Sequence, residues 1–155
     1  MISKTNLEWS DIEDGVNTLA GLLTGVDITC IIGIANGGMI PATLLAKKLK
    51  IDKLLSCNFK SYQDDAPREG VHDTTDIVKM ISFPLWEDIK HDNVLIVDDL
   101  VDTGLTLKKA IEHIDSFHDS WMTATLYYKP RTYYTPNHYT RQFDNDEWIV
   151  FPWED

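Results

Sequence analysis

At 155 residues, with 43% apolar and 25% charged side chains, the chain can bury one ordinary core and is too apolar for wholesale disorder. Its net charge of −11 argues against a nucleic-acid face, because such faces carry a basic stripe. No apolar run reaches the roughly 18 residues of a membrane-spanning helix, and residues 1–6 lack a signal-peptide profile, so no membrane and a cytoplasmic location are expected. An acidic chain can still hold a phosphorylated small molecule through backbone N–H groups, a helix N-terminus or a metal ion.

Ser10 followed by Glu13 is a capping-box pattern. Ile12, Val16, Leu19, Ala20 and Leu23 then recur at helical spacing, predicting a helix over about 10–24. Residues 28–34 form a continuous β-branched run, as in a strand buried on both faces. Ala35-Asn36-Gly37-Gly38 reads as a turn, 39–50 as a helix and 54–59 as a strand. The stretch 61–90 is irregular, with Asp64, Asp65, Pro67, Gly70 and Pro84 breaking any period. Loops of that length are functional lids or disordered.

Residues 94–97 form a second buried strand, and Leu107, Ala110, Ile111 and Ile114 mark a helix from near Thr106. Strands are expected over 122–128 and 148–151. Strand and helix alternate through the middle of the chain, which predicts an α/β single-domain parallel sheet flanked by helices, without internal repeats. Cys30 and Cys57 lie in apolar runs and are expected as buried thiols. The histidines show no metal spacing, since His113 and His118 do not share a helical face, and no zinc site is expected.

Ligands of open parallel sheets bind beyond the carboxyl ends of the strands. There the sequence places Asp98, Asp99 and Asp102, then Thr103-Gly104-Leu105-Thr106 running into a helix. Gly104 permits close backbone approach, the threonines supply hydroxyls, and the helix start offers free N–H groups to a phosphate. Three carboxylates beside a phosphate turn make sense when a cation or a hydroxyl-rich group joins them. A ribose phosphate with magnesium supplies both.

The bland alternative makes the aspartates solvated turn residues and caps, which would be preferred for an isolated Asp-Asp. Ile-Val-Asp-Asp also opens receiver domains, but there it follows the first strand, whereas here it lies two-thirds along the chain. Neither a Walker loop nor G-x-G-x-x-G occurs. Lys129, at the same sheet edge, could read a carbonyl or simply extend to the surface. Trp148 taken alone reads as core, and Ser61 and Tyr62 carry no signal by themselves.

Residues 94–106 resemble the ribose-phosphate signature of type I phosphoribosyltransferases. Trp9-Ser10, residues 31–42, Ser61-Tyr62, Tyr128-Lys129-Pro130 and residues 148–153 are similar, in the same order, to segments of bacterial xanthine-guanine phosphoribosyltransferases and archaeal purine relatives. The resemblance implies transfer of a 5-phosphoribosyl group from phosphoribosyl pyrophosphate to a 6-oxopurine (guanine, xanthine or hypoxanthine), in purine salvage.

It implies that Asp98 and Asp99 hold the ribose hydroxyls, directly or through Mg2+, and that Asp102 is the general base. Asp102, Thr103, Gly104, Leu105 and Thr106 would wrap the 5′-phosphate. Asn36, Gly37 and Gly38 would form the pyrophosphate loop, often with a cis peptide. Lys129 would donate to the 6-oxo group, Trp148 would stack on the base, and the Ile149 backbone would meet its 2-position. Ser61 and Tyr62 would begin a flexible lid over about 61–90, and residues 1–9 and 129–155 would build a base-recognition hood. A homodimer or homotetramer is implied as well.

One departure stands out. The family usually has a basic residue where this chain has Asn36, and an amide brings no charge to a phosphate. Arg68, Lys60 or a lid residue could compensate. Asn36 lends weight to a second reading, a catalytically weak or inactive nucleotide-sensing regulator, and a phosphoribosyltransferase for adenine or a pyrimidine is a separate alternative.

Overall fold

The computed structural model describes residues 3–63 and 76–154. In chain order the elements are β1 (Ser3–Asn6), α1 (Trp9–Leu22), β2 (Cys30–Ala35), α2 (Met39–Leu49), β3 (Leu54–Gln63) and β4 (Asp76–Ser82). They continue as α3 (Trp86–Ile89), β5 (Val94–Val101), α4 (Leu105–Asp115), β6 (Trp121–Tyr128), β7 (Arg141–Gln142) and β8 (Glu147–Val150). The main sheet runs β4-β3-β2-β5-β6-β7, and β1 and β8 form a separate parallel pair.

The uninterrupted apolar runs of β2 and β5 are explained by two cores, one on each face of the sheet. Ile31, Leu95 and Val97 join α1 and α2 on one face. Ile32, Ile34, Val94 and Ile96 join Leu107, Ala110 and Ile114 of α4 on the other. Strands buried on both faces need no polar alternation. Cys30 and Cys57 are free and buried, and burial pushes their thiols up to about 11 and about 12.

The sheet is mostly, not wholly, parallel. β4 runs antiparallel to β3, so part of the stretch expected to be irregular is a hairpin arm. The breakers that hid it lie before Asp76 and after Ser82, leaving an uninterrupted Ile77-Val78-Lys79-Met80-Ile81 run between them. Ser61 and Tyr62 accordingly sit inside β3 rather than in a loop, and Trp86–Ile89 is a short helix. The remainder of the expected lid, residues 64–75 including Arg68, lies outside the described residues.

The cap of helix α1 also falls two residues early. The Glu8 N–H donates to Asp11 Oδ2 at 2.7 Å, so Glu8 and Asp11 take the capping positions expected for Ser10 and Glu13. The chain ends meet through β1 and β8, where Leu7 N–H donates to the Val150 carbonyl at 2.8 Å.

Candidate active site

β5 runs on past Val97, so Asp98 and Asp99 are strand residues rather than turn residues. Asp98 stands opposite Thr125 of β6 in the parallel ladder. The Asp99 N–H donates to Asp98 Oδ1 at 2.9 Å, and the Leu100 N–H to Asp99 Oδ1 at 2.7 Å. After Val101 the chain bends at Asp102 and Thr103. It reverses through Gly104 at φ 81°, a left-handed conformation that suits glycine, and enters α4 at Leu105.

The Asn36-Gly37-Gly38 turn lies directly over the two carboxylates. A side-chain carbon on Gly37 would overlap Asp99 Oδ2, and one on Gly38 would sit 2.9 Å from Asp98 Oδ1. Only glycines let this backbone pass so close. The Ala35–Asn36 peptide is cis. Burial, with the neighbouring Asp99 charge, pushes the Asp98 carboxyl well above the usual carboxylate range. Burial raises Asp99 too. Among the described residues no cation stands within ion-pair distance of either.

The turn from Asp102 to Thr106 encloses a cavity of about 120 Å³, lined by Asp98 and by Leu100 through Leu107. That is roughly four waters' worth of space, enough for a phosphate group. The Leu105 N–H donates to Thr103 Oγ1 at 3.5 Å.

Across from it, Lys129 is only 4% exposed, so it is not a lysine extending to the surface. Its Nζ lies 3.6 Å from Asp102 Oδ2. Arg131, which the sequence did not single out, donates to Asp102 Oδ1 from Nε at 2.7 Å and from Nη2 at 2.5 Å. The alternation of β8 buries Ile149 and leaves the Trp148 indole outward, 62% exposed, so Trp148 is not core.

Within the C-terminal tail, no role at the site was expected for Trp153. Trp153 Nε1 comes within 3.5 Å of where a Gly37 side chain would begin, and its ring stacks on Phe151 at 4.6 Å. Its signal was weak, since an aromatic near a chain end has no period to read. A cavity of about 760 Å³ opens between α1 and α2, lined by Trp9, whose ring lies 5.8 Å from that of Trp153, and by Met39 and Ile40, which follow the Gly37-Gly38 turn.

The arrangement defines an α/β protein with paired carboxylates and a phosphate-sized turn beyond the carboxyl ends of its parallel strands. Residues 7–154 match the phosphoribosyl transferase domain, and the chain belongs to that family, whose members are pentosyltransferases. It is 30% identical over 150 residues to a xanthine-guanine phosphoribosyltransferase of Chromohalobacter salexigens, covering 96% of this chain and 82% of that one. The crystal structure of a purine phosphoribosyltransferase from Pyrococcus horikoshii superposes with TM-score 0.80 at 33% identity, covering 98% and 95% of the two chains. A Neisseria gonorrhoeae hypothetical protein with bound ppGpp superposes with TM-score 0.82 at 25% identity, covering 100% and 91%.

Proposed function

We propose that the enzyme moves the 5-phosphoribosyl group of phosphoribosyl pyrophosphate onto a 6-oxopurine, guanine, xanthine or hypoxanthine, and releases pyrophosphate. The observation that carries this reading is the buried Lys129 ammonium beside Asp102 at the phosphate turn. A fixed buried cation there suits a purine carbonyl, and adenine has none. The relatives' names, xanthine-guanine and purine phosphoribosyltransferase, support the same acceptor class.

In this reading the C1′–O bond breaks and its electron pair leaves with pyrophosphate. An imidazole nitrogen of the purine forms the new bond to C1′, and its proton passes to Asp102. Base catalysis of this kind contributes roughly 10²–10⁴ in rate. Lys129 donates to the 6-oxo group, Trp148 stacks on the ring and the Ile149 backbone meets the 2-position, all within a hood built from the chain ends. The 5′-phosphate sits in the Asp102–Thr106 turn against the start of α4.

Asp98 and Asp99 hold the ribose hydroxyls and fit magnesium, which binds through one or two carboxylates and substrate phosphates. When bound, magnesium supplies neutralisation of charge on the departing pyrophosphate. The β3–β4 hairpin, from Ser61 and Tyr62, covers the reacting centre and keeps water out. The substrates are cytoplasmic metabolites, which supports a cytoplasmic location. A homodimer or homotetramer is supported by the apolar groove between α1 and α2, where Trp9 and Leu44 are exposed. No described helix is long and apolar enough to cross a membrane.

A second reading, a nucleotide sensor, is favoured by the ppGpp in the Neisseria gonorrhoeae neighbour and by the uncharged Asn36. An assay with guanine, xanthine and hypoxanthine, run beside calorimetry with phosphoribosyl pyrophosphate, separates the two. Turnover that drops at least 10²-fold in Asp102→Ala supports the enzyme. Tight nucleotide binding without turnover supports the sensor.

A further inference from the structure

β2 ends at Ala35, which pairs with Asn58 of β3. From that last rung β2 turns away into Asn36-Gly37-Gly38, while β3 continues through Phe59 to Gln63. At about 3.3 Å per residue, Lys60 stands roughly 7 Å beyond the edge of the sheet, beside the turn. Its face is fixed by alternation. Leu54 packs in the core under α1 and α2, whereas Leu55, Cys57 and Phe59 pack in the α4 core. Lys60 and Tyr62 therefore lie on the α2 face, onto which the Asn36-Gly37-Gly38 turn leads.

Lys79 of β4 is the direct cross-strand partner of Lys60. Like charges placed directly opposite on neighbouring strands destabilise the pair. Here both ammonium groups also converge on one ring: Lys60 Nζ lies 5.1 Å and Lys79 Nζ 5.2 Å from the Tyr62 centroid. Cation–π contact steadies each ammonium without neutralising it. On a chain of net charge −11, two cations gathered at the rim of a sugar-phosphate site form a local positive spot. It stands beside the loop that lacks a basic residue.

We propose that Lys60 and Lys79, held on Tyr62, bind the pyrophosphate group of phosphoribosyl pyrophosphate and supply the positive charge that Asn36 does not. The proposal rests on the phosphoribosyltransferase reading above. Lysine suits the role, since its ammonium acts on phosphate as a mobile point charge.

The test is steady-state kinetics on the full chain, comparing wild type with Lys60→Met, Lys79→Met, the double variant, and the double variant carrying Asn36→Arg. The double variant should raise the KM for phosphoribosyl pyrophosphate roughly tenfold or more, with the inhibition constant of pyrophosphate rising in parallel. The KM for the purine should stay within about twofold, and Asn36→Arg should recover most of the loss. Thermal melts establish that each variant is folded, as expected for exposed side chains. A folded double variant whose KM for phosphoribosyl pyrophosphate stays within about twofold of wild type overturns the proposal. If wild type makes no nucleotide from any of the three purines, the transferase reading fails, and calorimetry with magnesium pyrophosphate decides the clamp separately. Wild-type binding that weakens about tenfold in the double variant supports it, and absent or equal binding overturns it.

Discussion

Arg131 and Lys129 divide the two oxygens of Asp102 between them. Arg131 holds Oδ1 through Nε and Nη2, and buried Lys129 approaches Oδ2 at 3.6 Å. The Arg131 and Asp102 side chains are 46% and 41% exposed, so this ion pair is worth only about 0.2–1 kcal/mol. Its value is geometric, because it fixes which way the carboxylate points. Arg131→Gln should therefore leave the melting temperature nearly unchanged while lowering kcat about tenfold through misorientation. Lys129→Met removes a buried ammonium and keeps its volume, so stability should hold or rise. The KM for the purine should then climb about tenfold or more as a charged hydrogen bond is lost. Melts and kinetics on both variants check this, and an unchanged purine KM in Lys129→Met would remove Lys129 from the base site.

The carboxyls of Asp98 and Asp99 are raised above their unfolded values, mainly by burial. Between the unfolded and folded values the native state holds more protons than the unfolded chain. Stability therefore falls as pH climbs from the ordinary carboxylate range through the raised values, and stays lower above them. Magnesium should reverse that loss at neutral pH and have little effect in acid, where the carboxyls are protonated. Asp98→Asn with Asp99→Asn should melt at a higher temperature than wild type at pH 7 and no longer respond to the ion. Calorimetric melts across pH, with and without magnesium, test each part. A double variant that melts lower than wild type at pH 7 would refute the electrostatic account.

The phosphate turn was legible because its signal is local: an apolar strand, then carboxylates, glycine and threonines, with the ligand expected at the strand end. What escaped is held by distant partners. β1 reads Ser-Lys-Thr-Asn, with no apolar period, and exists because residues 147–150 pair with it from the other end of the chain. β4 lay between two groups of breakers and shows itself only through its register with β3. Arg131 follows Lys-Pro in what looks like a solvated turn, and only the fold brings Asp102 to it. Trp148 sat in an apolar run that read as core. Period two, which buries Ile149, turns the indole outward.

Two glycines at the site should resist substitution for different reasons. A side-chain carbon on Gly38 would lie 2.5 Å from the Ile34 carbonyl and 2.9 Å from the Val97 carbonyl, both backbone atoms that cannot swing aside. Gly38→Ala should cost about 1–3 kcal/mol and displace the turn from the carboxylates. Gly104 has φ 81°, so alanine there carries roughly 1–2 kcal/mol of left-handed strain besides its clash with Thr132 Oγ1. Denaturant melts measure both losses. Gly104→Ala should also weaken binding of a nucleoside monophosphate through its 5′-phosphate, whereas Gly21→Ala, within α1 and with open space around it, should cost no stability and leave that binding unchanged.

Trp148 offers a test of base recognition that leaves the core alone. Its indole is exposed while its neighbour Ile149 is buried, so truncating it should change stability by less than about 0.5 kcal/mol. Base–aromatic stacking is worth about 1–3 kcal/mol per base. Trp148→Ala should therefore raise the KM for the purine roughly tenfold, with little change in that for phosphoribosyl pyrophosphate. Guanosine monophosphate should also change the emission of the wild-type protein by covering this indole. Trp9, Trp86, Trp121 and Trp153 remain in Trp148→Phe, so that variant isolates the contribution of one ring. If the nucleotide alters the fluorescence of Trp148→Phe as much as that of wild type, the base does not stack on Trp148.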